Sequence, residues 1–287
     1  MKNITAKTKL AAILGNPVGH SLSPGLHCFL AEQMGVDLAY LAFSPERESL
    51  RAALDGALSM GFLGFNITAP FKIDVKNLLD VLDPEAEKMG NVNTVVNEQG
   101  KWKGYNTDGD GFILSLKRSG VSVGGKDALL LGTGGTARTL SYKLAQNGAK
   151  SITIASRKTD ILPEFRMLLA EFPQVELHEG VNPHIHYDLI VNCTPLGMKP
   201  HEEKNPMPEG LTYDSCAVYC DLIYNPPKTL FLQQAKKIGA KVINGMDMFL
   251  YQGILAFEHF TGVKVSDAAC EAVFEKWSNA NDKAEKD

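Results

Sequence analysis

One stretch restricts the fold of this chain more than any other: Ala128-Leu129-Leu130-Leu131-Gly132-Thr133-Gly134-Gly135-Thr136-Ala137. Its uncharged apolar start reads as a strand buried on both faces. Three glycines follow, and then a helical pattern from Ala137 to Ala145. Glycine allows backbone angles that other residues avoid and leaves room for a pyrophosphate. The free N–H groups and positive end of the helix then face that anion. Gly148 stops the helix and Ser151-Ile152-Thr153-Ile154-Ala155 supplies a second strand, so the glycines stand in the βαβ context they need. The pattern predicts a dinucleotide-binding unit; a tight turn with no ligand is the alternative.

Composition narrows the rest. A chain of 287 residues forms one large domain or two ordinary ones. At 44% hydrophobic and 22% charged residues it can bury a substantial core, which excludes a disordered chain. A net charge of −4 and the lack of an arginine-rich stripe leave no footprint for nucleic acid. No apolar run has transmembrane length, and Met1-Lys2-Asn3-Ile4-Thr5 is no signal peptide, so the expectation is a cytoplasmic protein off the membrane. Cys28, Cys193, Cys216, Cys220 and Cys270 are scattered and odd in number, and read as reduced core thiols. Cys216 and Cys220 lack the spacing of a zinc pair, and His184-Ile185-His186 reads as a surface histidine pair; no metal site is expected.

The N-terminal part alternates strands and helices: Leu10–Leu14, then a helix starting at Ser23-Pro24 and ending at Gly35, then Tyr40–Phe43, a helix Leu50–Met60, and a strand Gly64–Ile67. Serine capping with proline in the first turn predicts the helix start at Ser23. The third strand runs into Asn66-Ile67-Thr68-Ala69-Pro70-Phe71-Lys72, where a strand gives way to a helix. Strand C-termini are where open α/β sheets bind ligands. Two readings stand side by side: a ligand site, or Asn66 and Thr68 capping a helix beside a solvated Lys72. A short helix Asp83–Met89, a hairpin through Val95-Val96 and Trp102–Tyr105, and a helix Phe112–Arg118 follow, with Asp108 a candidate helix cap. Beyond the second strand, buried strands at Leu189–Cys193 and Ala217–Ile223 and helices at Thr229–Ile238, Met248–Thr261 and Ser266–Ser278 are predicted, with a frayed tail from Asn279.

Together the motifs resemble the shikimate dehydrogenase family, including its quinate/shikimate branch. They are Ser21-Leu22-Ser23-Pro24, Asn66 to Lys72, Asn91-Val92-Asn93-Thr94, Asn106-Thr107-Asp108-Gly109, Gly132 to Ala137, Asn192 to Met198, Asp221-Leu222-Ile223-Tyr224-Asn225-Pro226, Gly245-Met246-Asp247-Met248 and Gln252, in the family's order over nearly the whole chain. The resemblance implies an α/β chain of two domains with a cleft between them. Residues 1–110, completed by 246–287, would be the substrate-binding and catalytic domain, and 111–245 a Rossmann-like, doubly wound NADP-binding domain. The activity implied is NADPH-dependent, reversible reduction of 3-dehydroshikimate to shikimate, in a monomer or homodimer. Lys72 and Asp108 would be the catalytic pair. Ser21 and Ser23 would hold the substrate carboxylate, Thr68, Asn93 and Gln252 the ring hydroxyls, with Tyr224 also at the substrate. Gly132, Gly134, Gly135, Thr136, Ala137, Thr194, Leu222, Gly245 and Met248 would line the cofactor.

These residue types suit that chemistry. Hydride attack on a ketone builds negative charge on its oxygen, which a positioned ammonium can stabilise and protonate. No metal is required. The second strand of the nucleotide unit ends at Ser156, followed by Arg157 and Lys158, with no carboxylate until Asp160. An NAD site of this fold places Asp or Glu there, whereas a 2′-phosphate finds two cations and a hydroxyl, so NADP is expected. The family's usual Asn-Arg-Thr is altered here to Ser156-Arg157-Lys158, which leaves NAD use open. Quinate dehydrogenation and a non-catalytic nucleotide-binding regulator are the competing readings; retention of both Lys72 and Asp108 argues against the regulator.

Overall fold

The structure, a computed structural model, describes residues 4–156, 163–182 and 184–284. The chain divides into two compact units, Met1–Thr107 with Leu250–Asp287, and Asp108–Phe249.

The first unit is built on a mixed six-stranded sheet. Its elements are β1 (Lys9–Leu14), α1 (Ser23–Gln33), β2 (Leu38–Phe43), α2 (Leu50–Ser59), β3 (Gly64–Ile67), β4 (Val81–Leu82), α3 (Pro84–Met89), β5 (Thr94–Glu98) and β6 (Lys101–Tyr105). The strand order is β2-β1-β3-β5-β6-β4. β1 runs parallel to β2 and β3, β5 antiparallel to β3 and β6, and β4 parallel to β6. Leu14, Leu50, Leu54, Phe62, Phe65, Phe71 and Trp102 form one core on this sheet, and the Trp102 indole N–H donates to the Leu54 carbonyl at 3.1 Å, so burial leaves no unpaired indole.

The second unit holds α4 (Asp108–Arg118), β7 (Asp127–Leu131), α5 (Gly135–Gln146), β8 (Ser151–Ser156), α6 (Pro163–Glu171), β9 (Val175–Glu179), β10 (Leu189–Asn192), β11 (Val218–Asp221), α7 (Leu230–Lys237) and β12 (Lys241–Ile243). Its sheet is all parallel in the order β12-β11-β10-β7-β8-β9. Winding outward from β7 in one direction and from β10 in the other is the doubly wound arrangement, with the order reversing between β7 and β10. α8 (Met246–Thr261) starts in the second unit and continues in the first, which α9 (Asp267–Ala284) completes.

Several local expectations are corrected. Ser23 does not cap α1: it lies inside the first turn, Leu22 takes the cap position with no side-chain bond, and Ser21 Oγ accepts from the Ser23 N–H at 3.2 Å. α4 starts at Asp108 rather than Phe112, and α9 continues to Ala284 where a frayed tail was expected. Of the five cysteines, all free, only Cys220 is buried; Cys28 and Cys216 are exposed. No helix follows Lys72 directly; a single 3-10 turn, Val75–Leu78, does. Among the described residues, no helix is long and apolar enough to cross a membrane.

His27, on α1, is fully buried and stacks on Tyr40 with ring centroids 4.1 Å apart. Burial pushes its pKa down from 6.5 to about 3. The group is therefore neutral in the folded chain and takes up a proton on unfolding below pH 6.5, so stability falls as pH drops through that range. At about 1.4 kcal/mol per pH unit, His27 alone removes about 2 kcal/mol between pH 7 and 5. His27→Phe keeps a stacked ring and abolishes this loss: urea unfolding at pH 7 and pH 5 is expected to give a smaller drop for the variant, and equal drops would contradict the assignment.

Candidate active site

In the first unit the sequence motifs gather at the C-terminal ends of β1 and β3. The loop after β1 carries Ser21 and leads into Ser23; the loop after β3 carries Thr68 and Lys72. Asn16 N–H donates to the Ala69 carbonyl at 3.2 Å, and the Thr68 N–H to the Leu14 carbonyl at 2.9 Å, so the two loops are tied together. The Thr68 side chain lies against Gly15, where any Cβ would overlap its methyl. Lys72 is half-buried, and its carbonyl accepts from the Val92 N–H at 3.0 Å, which binds it to the segment bearing Asn93. Gln252 lies on α8 next to Gly253, whose backbone meets Leu26 of α1, the helix that Ser23 opens.

Asn93 is held by several buried hydrogen bonds. Its side-chain Oδ1 accepts from the Thr107 N–H at 2.8 Å and from the Thr94 hydroxyl at 3.0 Å, and its Nδ2 donates to Thr107 Oγ at 2.9 Å. Asn66 was open to two readings. It caps no helix: it is buried at 4% exposure, accepts the Tyr40 hydroxyl proton at 2.7 Å, and donates to Thr94 Oγ and the Asn93 carbonyl at 3.4 Å.

In the second unit the glycine loop lies at the reversal of strand order. Gly132 has φ of 110°, a left-handed angle that favours glycine, and a Cβ there would come within 2.9 Å of Thr194 Cγ2 in the loop after β10. α5 then starts at Gly135, with Gly134 in the cap position, no side-chain cap and no acidic residue in its first turn. N–H groups at a helix start that no side chain satisfies, beside backbone without Cβ atoms, fit a pyrophosphate. β8 ends at Ser156; Arg157 and Lys158 lie outside the described residues.

The facing loops of this unit are pinned through Asn192 and Asp221, which end β10 and β11. Asn192 Oδ1 accepts from the Thr194 N–H at 2.9 Å and hydroxyl at 2.7 Å, while its Nδ2 donates to the Leu196 carbonyl and to Asp221 Oδ1, both at 3.0 Å. Asp221 also accepts from the Ile223 N–H at 3.0 Å and the Thr229 hydroxyl at 2.6 Å. Gly245 N–H donates to the Ile223 carbonyl at 3.1 Å, and a Cβ on Gly245 would overlap the Leu222 carbonyl, so the start of α8 sits directly on the Leu222 loop. Tyr224 packs on Phe249 with ring centroids 5.0 Å apart, and Met248 is buried. Thr194, Leu222, Tyr224 and Gly245 thus lie on connected loops at the strand C-termini of one sheet, and Met248 in the first turn of α8 that follows them.

Asp108 opens α4 and is buried at 5% exposure. α4 is clamped to α5 by the buried Lys143, whose Nζ lies 2.8 Å from Asp110 Oδ1. The sequence reading missed Tyr40, Thr94, Thr107, Asn192 and Thr229 as site-building residues. One signal does point to Thr94 and Asn192: a short polar side chain within or ending an apolar strand has to be hydrogen-bonded.

A glycine loop at the switch point of a six-stranded parallel sheet makes this a dinucleotide-binding α/β protein, with a second α/β unit that carries a polar cluster at its strand ends. The comparisons with known proteins sharpen that class. Residues 13–95 match the family profile described as the shikimate dehydrogenase substrate binding domain, and residues 245–273 match the shikimate 5'-dehydrogenase C-terminal domain. A relative from Bacillus cereus (strain B4264), shikimate dehydrogenase (NADP(+)), is 41% identical over 258 residues, covering 88% of this chain and 93% of its own. Among solved structures, shikimate 5-dehydrogenase from Listeria monocytogenes in complex with shikimate and NAD is 30% identical, with a TM-score of 0.86 over 96% of this chain and 99% of that one. Shikimate 5-dehydrogenase from Thermus thermophilus in complex with NADP(H) and shikimate is 33% identical, with a TM-score of 0.82 over 93% and 99%. The chain belongs to the shikimate dehydrogenase family.

Asp221 supplies a test of the loop clamp. Burial raises its pKa from 3.8 to about 6, against the pull of its three hydrogen-bond donors. The folded chain therefore holds this proton more tightly than the unfolded chain does. The group's contribution to stability is full below pH 3.8 and declines as pH rises to about 6, by a total on the order of 2–3 kcal/mol. Asp221→Asn keeps an acceptor for the two N–H donors and carries no charge. Its stability relative to the unmutated chain is expected to rise by that amount from pH 4 to pH 7 in denaturant titrations; parallel profiles would contradict it.

Proposed function

We propose that the protein catalyses the reversible reduction of 3-dehydroshikimate to shikimate with NADPH, as a cytoplasmic monomer or homodimer. The observation that carries this reading is the presence of both Lys72 and Asp108 in their family motifs, in a chain 41% identical to a shikimate dehydrogenase (NADP(+)) over 88% of its length. The substrate side is assigned to residues 1–110 with 246–287 and the nucleotide side to 111–245.

The bound dinucleotide supplies the hydride. Lys72 stabilises the negative charge that grows on the ketone oxygen and delivers the proton to it. In the reverse direction it takes that proton from the hydroxyl. Asp108 directs the lysine ammonium. Ser21 and Ser23 hold the carboxylate, and Thr68, Asn93, Gln252 and Tyr224 hold the ring and its hydroxyls, each offering a donor or acceptor. On the nucleotide side, Gly132, Gly134, Gly135, Thr136 and Ala137 surround the pyrophosphate, and Thr194, Leu222, Gly245 and Met248 line the nicotinamide end. Ser156, Arg157 and Lys158 meet the ribose 2′-phosphate, where guanidinium pairs well with phosphate.

Absorbance at 340 nm, with shikimate and quinate each offered NADP and NAD, tests the reading. Shikimate with NADP is expected to give the highest kcat/KM. Lys72→Ala is expected to lower kcat by about 10²–10⁴-fold, the range for a lost acid–base group, with a smaller change in KM. Preference for quinate or for NAD would overturn the substrate or cofactor assignment, and near-normal turnover in Lys72→Ala would remove the lysine from the chemistry.

A further inference from the structure

The buried side chains behind Asn93 form one connected hydrogen-bond network. The Tyr40 hydroxyl donates to Asn66 Oδ1 at 2.7 Å, which turns the Asn66 amide so that its Nδ2 points to Thr94 Oγ at 3.4 Å. Thr94 Oγ accepts there; it lies 3.3 Å from Thr107 Oγ, a contact in which either hydroxyl can donate, and 3.0 Å from Asn93 Oδ1, its shorter acceptor. The Thr107 N–H, which cannot rotate, donates to the same oxygen at 2.8 Å. Tyr40, Asn66, Asn93, Thr94 and Thr107 are each at most 4% exposed, so water cannot replace a lost partner. Burial raises the Tyr40 pKa well above 10, which keeps it a donor.

We propose that Thr94 is a positioning residue, acting with Tyr40 and Asn66 to fix the Asn93 amide and so to set how tightly a ring hydroxyl of the substrate is held. The proposal rests on the assignment of a polyol acid substrate above. Thr94 touches no substrate; it acts by occupying the second lone pair of Asn93 Oδ1. The Thr107 N–H and the Thr94 hydroxyl are the nearest donors to Asn93 Oδ1, at 2.8 and 3.0 Å, and the Thr107 hydroxyl, 3.2 Å from the same oxygen, also accepts from Asn93 Nδ2, so the amide has one orientation and Asn93 meets a ligand as a donor rather than as an acceptor. Tyr40, 26 residues from Asn66 in sequence, reaches the Asn93 amide through two intervening side chains, Asn66 and Thr94.

Thr94→Val removes the hydroxyl at nearly constant volume. It is expected to raise the shikimate KM about tenfold, the worth of one hydrogen bond, with kcat and the NADP KM changed less than about threefold. Thr94→Ser is expected to restore the shikimate KM, and Tyr40→Phe to raise it in the same sense by a smaller factor. A purely structural role would lower the melting temperature while leaving the shikimate KM unchanged, and that result overturns the proposal, as does an equal rise in both KM values. Tyr40→Phe and Thr94→Ser decide the matter in the same way if Thr94→Val does not fold. The Asn93 side-chain amide resonances of the ligand-free protein separate this proposal from the substrate assignment. They shift in Thr94→Val even if shikimate is not turned over, and unshifted resonances contradict the positioning role directly.

Discussion

The hydrogen bond from the Thr107 N–H to Asn93 Oδ1 carries much of the organisation of the first unit. A side-chain amide can present either end, and only a donor that cannot turn decides which. A backbone N–H is such a donor. It sets which end of the Asn93 amide faces Thr107, and the Thr94 hydroxyl, itself met by the Asn66 amide that the Tyr40 hydroxyl orients, completes the hold on the same oxygen. Reversing any one of them would leave a buried group unpaired at a cost of about 1–3 kcal/mol. Ordering of these side chains is therefore completed on folding and is not charged against ligand binding.

The second unit uses the same device at its own strand ends. Asn192 ends a buried strand, as Asn66 lies near the end of another, and its amide ties the loop that follows to a neighbouring strand end. Asp221 extends the clamp to the Leu222–Tyr224 loop and, through Thr229, to the start of α7. On the other side of the switch point the glycine loop brings backbone N–H groups and an uncapped helix start together, an arrangement that suits an anion. Polar side chains hold the loops at one side of the crevice, and the absence of side chains opens the other.

The glycine-loop unit was legible because its signals are local. Apolar run, glycines, helix pattern and second strand stand in one window, and β7, α5 and β8 follow that order. The hairpin of β5 and β6 was legible for the same reason, while the doubly wound order of the second sheet came from the family resemblance. What escaped was non-local or masked. Gly109 and Gly111 hide the first turn of α4 from a propensity reading, although Asp108 and Asp110 favour a helix start electrostatically. β4 has only two residues and exists through its pairing with β6. Ser23 looked like a cap because serine before proline so often is one; the bond is made by Ser21 instead. Asn66 presented two readings because nothing in its own motif names Tyr40 as its partner. For the residues proposed to meet substrate, the residue types and their order came from the motifs, whereas their hydrogen-bonded support came only from the fold.

The polar cluster at the strand ends of the first unit is arranged by the fold itself, with the Thr107–Asn93 bond as its fixed point. Hydrogen exchange of the Thr107 backbone amide in the ligand-free protein tests it most directly. Strong protection is expected in the unmutated chain, lost in Asn93→Ala while amides in the centre of β3 and β5 stay protected. Rapid exchange at Thr107 in the unmutated, ligand-free protein would contradict it, since the amide would then be ordered by the ligand rather than by the fold.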